Sequence, residues 1–336
     1  MSRFRVGVAG ATGAVGKEVL AVLDKTPWRP AEVVAIASQR SETPEVQWGE
    51  AAVPVDDAER VDLARLDALI LAIPPEPARE LGERAIGEGL IVVDASGAFA
   101  DDEDVPLVVP WVNPEALEAP RRGAVSVPEG AVLLLASVLG PLWRAGVVGH
   151  VDATVMLPAS VSGRAGIDEL SRQVLALFNG AAPPRKVFEQ GLAFDIVPQL
   201  GEAGRDGWTE RERAITAGVG RVLEGLGPCA PVVTLVQLPV FSGLCASIVI
   251  DPGREVPLDA LAARLTEGGV LMPKVAGARG VPRPRRVDGH PFAQVGRLRV
   301  DPRGRIHLWA AIDNLRGVAA SAVGACGALL RTRGPQ

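Results

Sequence analysis

No tyrosine occurs in this chain, and only four of its 35 Lys and Arg residues are lysines: Lys17, Lys25, Lys186 and Lys274. That skew is compositional and points to no chemistry of its own. Cysteine is scarce as well. Cys229, Cys245 and Cys326 form an odd set with no CxxC pair, which argues against a disulfide framework or a zinc site and suits a reducing cytoplasm. Histidine is limited to His150, His290 and His307, and no metal-ligating set, Ser/His/Asp order or paired-carboxylate cluster stands out. A net charge of −5 is too mild to imply a nucleic-acid partner. Long hydrophobic runs are missing too: the longest, Gly130 to Trp143, is too short to span a bilayer. No secretory leader is expected, because the first residues pass straight into a strand and a glycine turn.

What is present is ample core material, 48% hydrophobic residues over 336 positions, enough for two domains. The run Phe4–Ala9 reads as a short buried strand. Gly10-Ala11-Thr12-Gly13-Ala14-Val15-Gly16 follows, and a helical pattern opens from it with Val15, Val19, Leu20, Val22 and Leu23 on one face. Strand, glycine turn and helix form the context of a dinucleotide-binding motif. Glycine lets the backbone turn tightly and a pyrophosphate come close, while the helix start offers N–H groups and a positive dipole. Val33–Ala37 is the second strand, whose C-terminal end lies beside the adenosine ribose in such folds. An acid there would bind the 2′-hydroxyl of NAD. Ser38-Gln39-Arg40-Ser41 stands there instead and favours the 2′-phosphate of NADP.

Further buried strands are expected at Leu69–Ile73 and Ile91–Asp94, with a helix over Ala78–Ile86 between them. This alternation predicts a doubly wound parallel sheet. Pro74-Pro75 follows a strand where the cofactor crevice should lie, and removes two backbone donors from that edge. From about residue 130 the pattern changes. Helices are expected at Ala131–Arg144, Gly166–Asn179 and Thr209–Leu226, and strands at Val151–Leu157, Val232–Pro239, Ala246–Ile250, Gln294–Val300 and Ile306–Ile312. This is an α+β domain with an antiparallel or mixed sheet. Pro282–Arg286 reads as a solvated basic loop. The last helix, Gly317–Leu330, is rich in small residues and should pack closely on another element.

Several of these segments together resemble the aspartate-semialdehyde dehydrogenase family: Gly10–Gly16, Asp94-Ala-Ser-Gly-Ala-Phe99, Val105-Pro-Leu-Val-Val-Pro110, Val112-Asn113, Leu238-Pro-Val240, His307-Leu-Trp309 and Asp313-Asn-Leu315. Their order and spacing agree over nearly the whole chain. The resemblance implies an N-terminal Rossmann-type NADP-binding domain at 1–129 and a catalytic-type dimerisation domain of α+β class at 130–316. It also implies a C-terminal helix at 317–334 returning to the first domain, and a cytoplasmic homodimer with no nucleic-acid or membrane partner. The implied cofactor site comprises Gly10, Ala11, Thr12, Gly13, Ala14, Val15, Gly16, Ser38, Arg40, Ser41 and Asn314. The family makes aspartate semialdehyde from an acyl phosphate in amino-acid biosynthesis.

That chemistry, as the resemblance implies it, needs a cysteine thiolate to form a thioester, hydride from NADPH, a histidine acid/base and arginines to clamp the substrate. In this chain the cysteine position of the matching segment Val127-Pro128-Glu129-Gly130 is Gly130, and the histidine position is Leu244. The two arginine positions are Gln237 and Ala100, and a glutamate position is Trp111. The glutamine expected near Ser162-Gly163 is not evident. Cys245, beside Leu244, reads as a small buried hydrophobe, as do Cys229 and Cys326. His307 reads as structural. The expected set of catalytic residues is therefore empty, and so is the set of metal ligands. The pattern is similar to the Usg-type homologues, which also replace the nucleophile segment. Two readings stand. One is a catalytically silent homologue, a dimeric scaffold that binds NADP weakly and acts on a protein partner the sequence does not name. The other is an NAD(P)-dependent oxidoreductase acting on a different carbonyl without a thioester.

Overall fold

The computed structural model describes residues 4–38, 43–118, 120–273 and 277–333. By its internal contacts the chain divides into two units. One contains the residues up to Glu129 together with the stretch from Val318 onward, and the other runs from Gly130 to Gly317.

The first unit is built on a seven-stranded sheet. In chain order its elements are β1 (Arg5–Ala9), α1 (Ala14–Lys25), β2 (Glu32–Ala37), β3 (Glu45–Trp48), β4 (Ala51–Asp57), β5 (Ala68–Leu71), α2 (Pro75–Gly87), β6 (Ile91–Asp94) and β7 (Ala124–Ser126). The spatial order is β3-β4-β2-β1-β5-β6-β7. All neighbours are parallel except β3 and β4, which form an antiparallel pair at one edge. Strands β1, β2, β5 and β6 are almost wholly buried runs of Val, Ile, Leu and Ala, the pattern of strands covered on both faces. Helix α2 sets Ala78, Leu81 and Ala85 into the core with Leu69, Leu71, Val92 and Phe99. A Cβ on Gly82 would lie 2.8 Å from Phe99, so glycine is what lets this helix lie flat on the aromatic ring.

Two expectations are corrected here. The β3–β4 edge was not foreseen, because its strands are short, largely exposed and interrupted by Pro54. Pro74 and Pro75 do not merely strip donors from the crevice. Pro74 is the N-cap of α2 and Pro75 its first residue, where a missing N–H costs nothing.

The second unit carries α3 (Gly130–Arg144), β8 (His150–Leu157), α4 (Gly163–Phe178), α5 (Glu210–Val222), β9 (Val232–Gln237), β10 (Leu244–Asp251), α6 (Leu258–Glu267), α7 (Pro284–Val287), β11 (Gln294–Val300) and β12 (Ile306–Ile312). Its five-stranded sheet has the order β11-β12-β10-β8-β9. β8 and β9 are parallel and the other pairs antiparallel, so the sheet is mixed. Helix α3 is buried at every position from Ala131 to Leu142, which explains its all-round apolar sequence. Helix α5 is started by a capping box between Thr209 and Glu212. It ends at Val222, short of the expected Leu226, where the chain turns through Gly225 at φ 79°. Burial alternates along β8, β9 and β12, so one face of this sheet is covered and the other is largely open.

Helix α8 (Asn314–Arg333) starts three residues before the expected Gly317. Asp313 starts it, accepting from the N–H groups of Leu315 and Arg316 through one oxygen. Its small residues permit close packing in the first unit: a Cβ on Gly327 would lie 2.2 Å from the Trp28 indole nitrogen.

Candidate functional site

The Gly10–Gly16 turn sits at the carboxyl end of β1, where the sheet order departs to β2 on one side and β5 on the other. This is the topological switch point at which open α/β sheets bind ligands. Gly10 has φ +85°, and a Cβ there would lie 2.3 Å from the Ala72 carbonyl oxygen. Gly16 is held for another reason: a Cβ would lie 2.0 Å from the Gly10 carbonyl. Gly10 and Ala11 donate to the Ile36 carbonyl, and Gly13 donates to that of Gly10. Gly13 is the N-cap of α1 and offers no side chain, so Ala14, Val15 and Gly16 begin the helix with no side-chain cap over their N–H groups. A cavity of about 620 Å³ opens over this turn, lined among others by Gly10, Thr12, Gly13, Ser38, Glu59 and Pro74. A glycine cradle, an uncapped helix start and a cavity of this size fit the diphosphate of a dinucleotide.

Of the expected ribose-site residues, Ser38 lines this cavity and is exposed. Arg40 and Ser41 lie outside the described residues. Glu59, which the sequence reading missed, also lines the cavity, from the turn that follows β4. Because β4 pairs with the end of β2, it brings this carboxylate to the edge where an acid was thought absent. Asn314 lies in the second unit, at the head of α8. Its Oδ1 accepts from Gly243 N–H at 3.2 Å, and its Nδ2 donates to Ser160 Oγ at 3.0 Å.

Several resembling motifs have structural work. Asp94 is fully buried and accepts from Phe99 N–H, Ser126 Oγ and both the N–H and hydroxyl of Ser96, which fixes the 95–99 turn. Asn113 ties its own loop, accepting from Val109 N–H and donating to the Leu107 carbonyl. His307 bonds Asp301 at 3.1 Å. Burial works to raise the Asp301 carboxyl, but His307 and the Arg305 and Arg303 N–H groups hold it well below the ordinary range.

The positions aligned with the nucleophile and the histidine meet in the second unit. A Cβ on Gly130 would lie 2.8 Å from Asn314 Cβ and 3.7 Å from Leu244 Cδ1. Leu244 is fully buried. Gly243 before it has φ +86°, with Pro284 packed where a side chain would go. The adjoining Cys245 is packed among Val287, Ala311, Met156 and Trp309, and burial pushes its thiol up to about 12. Cys326 is pushed up to about 12 in the same way. Neither thiol supplies a thiolate near neutral pH. Among the described residues, no group of three His, Cys, Asp or Glu side chains could hold a metal ion.

A second cavity, of about 600 Å³, lies entirely in this unit and includes Gln237 in its lining. One of its walls is the 186–193 loop, tied down by two buried residues of α4. Glu169 accepts the N–H groups of Lys186, Val187 and Phe188, each at 2.9 Å. Gln173 accepts those of Leu192 and Ala193. Burial works to raise the Glu169 carboxyl, and these N–H bonds outweigh it and hold it below its usual value.

The comparisons with known proteins agree with this architecture. A family described as semialdehyde dehydrogenase, NAD binding domain, matches residues 5–119, and semialdehyde dehydrogenase, dimerisation domain, matches 139–317. The chain is 30% identical over 328 residues to aspartate-semialdehyde dehydrogenase 2 of Vibrio cholerae, covering 96% of each chain. It is 31% identical over 337 residues to a USG-1 protein homologue of Azotobacter vinelandii, covering 95% of each. The crystal structure of Vibrio cholerae aspartate semialdehyde dehydrogenase II complexed with ASA superposes with a TM-score of 0.92 at 29% identity, covering 98% of this chain and 99% of that one. With both of its units matched and 95–96% of its length aligned, the chain belongs to the semialdehyde dehydrogenase family, among the aspartate-semialdehyde dehydrogenases and their USG-1 homologues.

Proposed function

We propose that this chain binds a nicotinamide dinucleotide, NADP in preference to NAD, as a cytoplasmic homodimer, and that it does not run the family's thioester reaction. The observation that carries this reading is the contact of Gly130, Leu244 and Asn314. Where the family's route needs a nucleophile and a proton carrier, this chain has a bare backbone, an aliphatic side chain and an amide. No covalent intermediate can form on Gly130, and covalent catalysis is what divides the difficult step into two easier ones. A bound nicotinamide would supply or accept hydride. The chain's own contribution is the Gly10–Gly16 cradle, with the sequence Ser38-Gln39-Arg40-Ser41 as the expected source of contacts to the 2′-phosphate. The test is an NADP-coupled assay with aspartate semialdehyde and phosphate, on protein purified free of the host enzyme. No turnover is expected, and a rate near about 1 s⁻¹ would overturn the reading.

A second reading is favoured by the preserved cofactor cradle: direct reduction of another carbonyl, which needs hydride and a proton donor but no thiolate. Oxidation of NADPH by an aldehyde or ketone panel distinguishes it from a silent homologue.

A further inference from the structure

Resting on the dinucleotide reading above, we propose that the cavity over the Gly10–Gly16 turn is a site for an adenosine diphosphate. The chain draws its affinity for NADP from that half, and the nicotinamide riboside adds nothing. The two helix starts that rim this cavity decide the matter. Strands β1 and β5 lie side by side, with Ala9 opposite Leu71, and α1 and α2 begin just beyond their ends. Gly10, Thr12 and Gly13 line the cavity from one start, and Ile73, Pro74 and Pro77 line it from the other.

Both helices close their first turn in the same way. Lys17 N–H bonds the carbonyl of the N-cap Gly13, and Ala78 N–H bonds that of the N-cap Pro74. The three positions between cap and bond are those whose N–H groups have no partner within the helix. In α1 they are Ala14, Val15 and Gly16, each with an N–H. In α2 they are Pro75, Glu76 and Pro77, which hold one N–H among them. The start of α1 therefore attracts phosphate through donors and dipole together. The start of α2 offers pyrrolidine rings, and the Glu76 carboxylate opposes its dipole. Proline fixes φ, so this wall cannot turn to present other backbone groups. On the opposite side Ile36, Ala37 and Ala58 give an apolar wall suited to a base, and Ser38 adds a hydroxyl. A nicotinamide riboside on the α2 side gives up water without gaining hydrogen bonds, so its apolar contacts and its desolvation cancel.

The experiment is calorimetric titration of the full-length protein with NADP, with 2′-phosphoadenosine 5′-diphosphate and with nicotinamide mononucleotide. The adenosine half is expected to bind within about threefold of NADP, and the mononucleotide is expected not to bind. The double variant Pro75→Ala, Pro77→Ala returns two N–H groups to the start of α2 and should tighten NADP by about fivefold or more. Glu76→Gln removes the exposed carboxylate from the same turn and should tighten NADP severalfold with the melting temperature little changed, which keeps the test decisive if the double variant folds poorly. NADP binding more than about thirtyfold tighter than its adenosine half would overturn the proposal and leave the dinucleotide reading standing. So would an NADP affinity unmoved by both sets of substitutions. Absence of binding by NADP and by its adenosine half would overturn both together.

Discussion

At Gly130 the backbone enters α3 against Asn314, and the distance decides what a cysteine would do there. Its Cβ would fall 2.8 Å from Asn314 Cβ, closer than two such atoms pack, and neither the start of α3 nor that of α8 yields easily. Gly130→Cys should therefore lower the unfolding free energy by about 1–3 kcal/mol, read as a shift in urea midpoint. It should also show no turnover of aspartate semialdehyde, because Leu244 supplies no proton. Restored activity at unchanged stability would contradict the packing argument and the alignment together. The expectation that this position carries no nucleophile comes from the order of the motifs alone. That Asn314 fills the space was not legible there, since the two residues are adjacent only in three dimensions. Glu59 makes the same point from the opposite direction. An acid was sought directly after β2, yet it reaches the cavity from the turn after β4, a strand that Pro54 and its exposed residues hid from the pattern. If Arg40 attracts the 2′-phosphate and Glu59 opposes it, the two substitutions act oppositely. Arg40→Ala should cost about 1.5–3 kcal/mol of NADP affinity, and Glu59→Gln should raise the NADP-to-NAD affinity ratio, both measured by fluorescence titration.

Among the elements, the four buried strands β1, β2, β5 and β6 of the first sheet and the five strands of the second were legible, whereas β3, β4 and β7 and helices α6 and α7 were not. β1, β2, β5 and β6 are short aliphatic runs closed by turns, and burial on both faces leaves no competing pattern. The polar ties between elements were invisible, because they depend on which carboxylate meets which N–H groups. Helix α4 is the sharpest case. Its Glu169 is buried and receives three backbone donors from a loop that has no regular structure of its own. The sign of its pH effect follows from the direction of its shift. The carboxyl titrates below its usual value in the folded protein, so its contribution is present above the ordinary glutamate range, near about 4.3, and is lost as the pH falls through the lower folded value. Glu169→Gln places an NH₂ group where an oxygen now accepts from Lys186 and Val187 N–H. It should cost about 1.5–3 kcal/mol at pH 7 and flatten the loss of stability between pH 5 and pH 3, approximate bounds set by that range. Denaturant titration across this span checks it, and hydrogen exchange should show Lys186–Phe188 losing protection first. An acid dependence unchanged from that of the parent protein would mean that the carboxylate is not what anchors the loop.

For the molecule as a whole, the open face of the second sheet is the surface on which a second copy is expected to bind. In the sheet order β11-β12-β10-β8-β9, the register places Trp309, Ser247, Thr154 and Thr234 in one row across four neighbouring strands. His307, Val249, Asp152 and Val232 form the next row. The segment around α7 covers one end of this face, where Trp309 donates its indole N–H to the Pro282 carbonyl. Beyond it Ser247 and Val249 are only half-buried, although they belong to the central strand of the sheet. Central strands are normally covered on both sides or face water with polar residues. A row mixing Trp, Ser and Thr beside one containing two valines fits neither case and suits a self-complementary twofold contact. The unit that bears this face is the one matched by the dimerisation-domain family. Light scattering at micromolar concentration should give twice the chain mass. Ser247→Arg would set a charge at the middle of the contact, where burying it without a partner is costly. Because Ser247 is half-exposed within its own chain, the variant should fold with a circular dichroism spectrum like that of the parent and scatter as a monomer. A variant that folds and stays dimeric would move the interface to another surface, and a monomeric parent protein would remove the dimer altogether.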